Sequence, residues 1–209
     1  MIRKAFHLIV FMLSALLSMQ LFAYATSAVR STNTERSGKL PKVQPLIVVR
    51  YYVANEFSID EEEQIRTGVS LWAAATAGRV VSYQDPYPID GEIEFGSYRK
   101  NERVVVFNKI ESSSDYVRTW DEYYDKIIIG MKFGNPFIRS DIYLVSDRLV
   151  SSKHWESVAA HEFGHVLGVD HVVNGNSIMS EFYKIGNDTI TLDDLSAFCT
   201  VHEYECCFK

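Results

Sequence analysis

Cysteine is scarce and badly placed for scaffolding. The 209 residues hold three, Cys199, Cys206 and Cys207, all within the last eleven positions. No disulfide framework can therefore hold the body of the fold. At most, Cys199 bridges to Cys206 or Cys207 and ties down the C-terminus; three free thiols are the other reading, and the pairing stays open. Positive charge is also in short supply. Twenty-one Lys and Arg stand against 27 Asp and Glu, a formal net charge of −6. That removes the cationic excess which nucleic-acid and anionic-membrane binders use, so neither partner is expected. Histidine is missing between His7 and His154, and no internal repeat or low-complexity tract occurs. What remains, 47% hydrophobic and 23% charged, is the composition of one ordinary folded domain with enough chain to bury a substantial core.

The one long hydrophobic run comes first. Arg3 and Lys4 precede an apolar stretch over residues 5–23, and Ala23-Tyr24-Ala25 supplies the small residues of an A-x-A cleavage site. Residues 1–25 read as a secretory signal peptide, which implies a secreted, periplasmic or extracellular destination and no stable membrane insertion after cleavage. An uncleaved anchor is the alternative, since the run approaches spanning length; the A-x-A ending favours cleavage. Residues 26–43 are polar, rich in Ser, Thr and Lys, and lack periodicity, as in a linker or short pro-segment. The folded domain is expected over residues 44–209.

Within it, residues 46–53 form a β-branched and aromatic run that suits a buried strand. Ser58 then caps a helix, with Glu61 completing a capping box; Ile65, Val69, Trp72, Ala73 and Thr76 recur at helical spacing until Gly78. Residues 80–84, 93–95 and 103–110 are short strands broken by turn residues such as Asp85-Pro86 and Asp90-Gly91. The polar, acidic run 111–125 reads as a surface loop. Two more strands, 127–133 and 138–145, flank Gly134-Asn135-Pro136, and a helix follows over 152–167. A last helix starts at Thr191, with Asp194 completing a second capping box and Leu195, Phe198 and Cys199 on one face. Strand, helix, several strands, helix, helix predicts an α/β sheet with a small C-terminal part.

The chemistry is concentrated in residues 161–171, HEFGHVLGVDH, which fit H-E-x-x-H-x-x-G-x-x-H at all five specified positions. By chance this pattern would arise in on the order of one in 10⁵ chains of this length. Helical residues four apart lie one above the other, so His161 and His165 can present imidazoles to one metal ion. Glu162 projects about 100° away around the axis, within reach of a water on that metal without being a ligand. Gly168 can end the helix in a left-handed turn and let the chain double back with His171. Three neutral imidazoles then leave one position open for water, as in a catalytic zinc site. His154 and His202 read as exposed or packing residues rather than ligands.

These residues resemble a family. The run 158–171 is very like the active-site helix and third-ligand turn of the metzincin zinc endopeptidases, and within them of the matrixins, the matrix-metalloproteinase-like enzymes. Ser177-Ile178-Met179 resembles the metzincin Met-turn, with Met179 eight residues after His171, and the resemblance implies an apolar floor beneath the zinc ligands there. Tyr183 corresponds to the tyrosine of the matrixin wall beside the S1′ pocket, although Glu181 replaces the proline of that motif. With Phe182 and Ile185, it implies a hydrophobic P1′ preference. Val172 stands where matrixins usually have Ser, and no tyrosine lies two residues after Met179, which argues against the astacin and serralysin branches. Asp193-Asp194-Leu195 is similar to the start of the last matrixin helix; the acids are either structural anchors or ordinary helix-start charges. No cysteine precedes Cys199, so the cysteine switch has no counterpart, and neither do the loop histidines of a second, structural zinc. The acidic 111–125 run offers oxygen atoms for Ca²⁺ without a ligand pattern that specifies it.

The resemblance covers roughly residues 45–204, with specific motifs over 158–195. It implies an α+β fold of metzincin type: a five-stranded, mixed, twisted sheet with one antiparallel edge strand above the cleft, an active-site helix, and a small C-terminal subdomain ending in a helix. Residues 127–133 are the candidate edge, where an extended peptide could add as a further strand. The implied activity is that of a monomeric Zn²⁺ endopeptidase acting on peptide or protein substrates through a zinc-bound water, with Glu162 as general base. A zinc-binding effector or interaction protein without peptidase activity is the alternative.

Overall fold

A computed structural model describes residues 47–85, 102–135, 139–182, 184 and 187–203. The signal-peptide and linker segments, the 93–95 strand, Tyr183, Ile185, Cys206 and Cys207 lie outside the described residues. No helix among the described residues is long and apolar enough to cross a membrane.

Five strands form one sheet: β1 (Ile47–Val53), β2 (Val80–Gln84), β3 (Glu102–Ile110), β4 (Gly130–Asn135) and β5 (Arg139–Val145). Their order is β2-β1-β3-β5-β4, and only the β4–β5 pair is antiparallel, so β4 is an antiparallel edge. Four helices accompany them: α1 (Ile59–Ala75), α2 (Asp115–Tyr124), α3 (Ser152–Val166) and α4 (Leu192–Val201). The mixed α/β architecture, the edge strand and the terminal helix agree with expectation.

Capping decides where α1 and α4 begin. The Ser58 and Thr191 side chains accept from the backbone N–H groups of Glu61 and Asp194, whose carboxylates accept in return from the two cap N–H groups. Each reciprocal pair satisfies two donors that the first helical turn leaves without a partner. Period-two alternation then turns Ile47, Val49, Tyr51 and Val53 of β1 toward the helices. Val105 and Phe107 of β3 and Ile142 and Leu144 of β5 join them, packed with Ile65, Val69 and Trp72 of α1 and Val158, Ala159, Phe163 and Val166 of α3. The two helices cross closely because Gly68 has no side chain; a Cβ there would overlap the Glu156 carbonyl and lie 3.1 Å from the Ala159 Cβ. Trp72 Nε1 donates across the crossing to the Ala160 carbonyl at 2.8 Å, holding α3 one residue before His161.

Two expectations need correction. The 111–125 segment contains a helix, α2, not a loop. Ser114 caps its start and Asp125, at φ 51°, ends it in the left-handed region. Its apolar face is narrow and easily hidden among charges: Val117 is fully buried, and Trp120 stacks on Phe133 and Tyr143 with centroids 5.2 and 6.0 Å apart. The edge strand starts at Gly130, three residues later than the apolar run suggests. The backbone of Ile128 is taken by side chains instead: its N–H donates to Asp121 Oδ1 at 2.8 Å and its carbonyl accepts from Arg148 at 2.5 Å.

Cys199 is buried on the inner face of α4 and disulfide-bonded; its possible partners within the chain lie outside the described residues.

Candidate metal centre

The centre grows from the C-terminal half of α3. Trp155, Val158, Ala159, Phe163 and Val166 bury one face of this helix in the core. The opposite face presents His161 and His165 one turn apart. At Gly168 (φ 85°) the chain reverses: the Gly168 N–H donates to the His165 carbonyl at 3.1 Å, and the Val169 N–H to the Gly164 carbonyl at 3.0 Å. This pair of bonds is a Schellman ending, and its left-handed residue costs little only as glycine. Two side chains take the remaining end carbonyls, Arg103 on Val166 and His202 on Leu167. His202 thus has a structural partner at the helix end, and His154, half-buried on α3, stands apart from the histidine cluster.

The reversal brings His171 to the other two. The three Nε2 atoms lie 3.1, 3.2 and 3.3 Å from one another. Two of the rings have their protons placed by acceptors. His161 Nδ1 faces the Ile178 carbonyl at 2.7 Å, and His165 Nδ1 faces that of Val169 at 2.8 Å. A carbonyl only accepts, so each Nδ1 carries the hydrogen and each Nε2 of the neutral ring is a bare lone pair. Burial holds His161 neutral, with its pKa down at about 3, and does the same for His165 at about 4; the more exposed His171 is lowered as well, again chiefly by burial. Lone pairs converging at these distances repel one another unless a cation lies between them. Tetrahedral ligation at about 2.0–2.1 Å would separate ligand nitrogens by about 3.3–3.4 Å. The donor set therefore fits Zn²⁺.

Beneath the histidines, Met179 is fully buried. It reaches α3 because residue 164 is glycine: a Cβ there would overlap the Met179 sulfur and approach Trp72 to 2.8 Å. The turn that carries Met179 is held by a buried carboxylate. Asp194 is 0% exposed and accepts from Ser177 Oγ, from the Ile178 N–H (3.3 Å) and from the Met179 N–H (3.1 Å), besides closing its own capping box on Thr191. The two readings of this acid, anchor and helix-start charge, are both realised at once. Asn187 adds a brace, donating to the Ser177 carbonyl at 3.0 Å and the Gly175 carbonyl at 3.2 Å. No sequence feature singles out Asn187.

Glu162 faces the same cleft, an opening of about 1140 Å³ between β4, α3 and the segment after Met179. It is 5% exposed, and among the described residues no hydrogen-bond donor meets its carboxylate. Burial raises its pKa to about 8, with the Lys132 ammonium pulling it back down. β4 runs directly over it: a Cβ on Gly130 would come within 2.8 Å of Glu162 Oε1. Gly130 and Lys132 were not singled out by the sequence reading. Of the pocket residues, Phe182 lines the cleft and is 58% exposed, with Lys126 over its ring at 5.0 Å. Lys126 also pairs with Glu181.

The model of the matrixin family matches residues 56–202. No curated protein matches the chain. Among solved structures, metalloproteinase-II from Bacteroides fragilis is similar at 10% identity and a TM-score of 0.49, over 81% of this chain and 57% of that one. Archaemetzincin from Methanopyrus kandleri is similar at 11% identity and a TM-score of 0.44, over 78% of this chain and 98% of that one. The chain thus spans little more than half the length of the Bacteroides protein.

Proposed function

Since the chain belongs to the matrixin family, we propose that it is a secreted zinc endopeptidase in which His161, His165 and His171 hold the metal and Glu162 is the general base. The observation that carries this reading is the convergence of three neutral Nε2 atoms within 3.1–3.3 Å, beside a buried carboxylate that meets no hydrogen-bond donor among the described residues. Zinc held by those nitrogens would supply Lewis acidity for a peptide carbonyl and for a water that must ionise near neutral pH. Glu162 takes a proton from the attacking water and later delivers it to the leaving amine. Its ionisation is favoured by the Lys132 charge and would be favoured further by a cation on the histidines. The Ile178 and Val169 carbonyls hold two of the rings in the tautomer that leaves Nε2 available.

A peptide added along the outer edge of β4 would lie over Glu162, with Phe182 lining the cleft; the preference that Phe182, Tyr183 and Ile185 would give is for a hydrophobic P1′ residue. Residues 1–25 direct secretion and 26–43 form a linker or pro-segment; the mature chain acts as a monomer.

Casein hydrolysis by the purified mature protein, measured with zinc content on the same sample, tests the reading. Glu162→Gln is expected to keep zinc and lose activity by about 10²–10⁴-fold; retained activity would refute the base. Replacing His165 with Ala is expected to lower zinc content. A wild-type protein that binds zinc and cleaves nothing would point to a binding function instead.

A further inference from the structure

Two lysines among the described residues line the cleft, Lys126 and Lys132. Lys126 pairs with a carboxylate, that of Glu181. Lys132 has none within 4 Å among the described residues; its ammonium donates only to the Gly134 carbonyl at 2.9 Å, two residues along its own strand. It is nevertheless half-buried, and burial lowers its pKa. Among the described residues the Glu162 carboxylate acts on it through space, beyond salt-bridge distance.

Strand register puts that cation over the reaction site. Gly130 and Lys132 lie opposite Leu144 and Ile142, both fully buried on the helix side of the sheet. Directly opposed residues point to the same face, so Gly130 and Lys132 face α3, whereas Phe133 faces Trp120 on the far side. Gly130 marks the position of Glu162, as the close approach to Oε1 shows. Lys132 is the next residue on that face, about 7 Å further along the strand. It lines the cleft together with Glu162 and the three histidines, and among the described residues no strand pairs with β4 on its outer side.

We propose that Lys132 is a specificity-determining residue that reads a carboxylate side chain of a peptide paired to β4, so that the substrate class is peptides with Asp or Glu within three residues of the scissile bond. The proposal rests on the peptidase reading above. A peptide antiparallel to β4 would place the acid on the N-terminal side of the bond, because moving from Gly130 to Lys132 then runs toward the peptide's N-terminus. The substrate's carboxylate would form with Lys132 the direct ion pair that Glu162 does not, a charge-assisted bond in a partly dry wall.

Two measurements on the mature protein test this. Cleavage profiling on a peptide library is expected to show acidic residues enriched within three positions of the cut, with kcat/KM for acidic over alanine-containing peptides raised about tenfold. Lys132→Met is expected to bring that ratio to near one, Lys132→Glu to invert it in favour of Lys or Arg, and Lys132→Arg to retain it. A loss equal for acidic and neutral peptides would overturn the proposal, since it would mean that Lys132 acts only through Glu162. Fluorescence anisotropy of labelled acidic and alanine hexapeptides on the zinc-loaded Glu162→Gln protein reads binding without turnover. Tighter binding of the acidic peptide that Lys132→Glu abolishes supports the assignment, and equal binding overturns it. Failure of every library peptide to be cut would sink the peptidase reading, while the binding result would still decide on Lys132.

Discussion

Below the three histidines, the 177–179 turn has its N–H groups on Asp194 and Asn174, its Ser177 carbonyl on Asn187 and its Ile178 carbonyl on His161, and Met179 is 0% exposed. Two residues further on, Glu181 and Phe182 are half-exposed or more and are tied to the other rim of the cleft by one lysine, Lys126. The contrast separates two physical requirements. Holding three imidazoles within a few tenths of an ångström of a common geometry needs buried backbone bonds, because each lost bond there leaves an unsatisfied group. Shaping a cleft for peptides needs only exposed side chains in high dielectric, whose pairing energies are small and salt-sensitive.

The largest expected effect that separates the two regions comes from the floor. Asp194→Ala strands the donors of Ser177, Ile178 and Met179 in the interior, and a loss of about 3 kcal/mol or more is expected in urea unfolding, together with weaker zinc retention. A variant with wild-type stability and zinc content would erase the distinction. At the boundary, Gly130→Val crowds buried Val158 as well as Glu162 and is expected to cost about 1–3 kcal/mol, less than the loss at the floor, and by pushing Glu162 aside to lower kcat by at least about tenfold with zinc still bound. An unchanged kcat would mean that the wall does not constrain the base.

A smaller effect is expected behind the cleft, where Arg148 bonds Asp121 and holds its carboxyl below the ordinary range, with the Ile128 N–H adding to the shift. A depressed folded pKa stabilises fully above the unfolded value near 3.9 and loses that contribution as the pH falls through the lower folded value. Asp121→Asn should therefore cost about 1 kcal/mol at pH 7, and the gap from wild type should shrink toward pH 3 in denaturant midpoints. A gap that stays constant with pH would remove the ion pair from the account. Smallest of all, Lys126→Ala is expected to change stability by less than about 0.5 kcal/mol, and any shift in peptide KM should fade at high salt.

The same contrast marks how far the residues could be read in order. The capping boxes at Ser58 and Thr191, the β-branched run 46–53 and the 161–171 pattern are local signals, and each corresponds to an element where it was expected. Helix α2 escaped because its apolar contacts, Val117 and Trp120, are few and rely on Phe133 and Tyr143 from other strands. Asn187 and Gly130 carry no pattern of their own; their importance comes from which carbonyl or carboxylate the fold sets beside them.

By itself, the order of residues determined which chemistry is present, since imidazole spacing on a helix and a glycine at its end follow from helical geometry over a few residues. Only the tertiary structure decided which groups act on that chemistry: that a buried carboxylate sixteen residues away orients the first histidine's carbonyl partner, and that an ammonium from an edge strand lines the same cleft as the base. Those relations depend on strand register and helix crossing, which are set by close packing of the whole core and leave no trace in the spacing of residues along the chain.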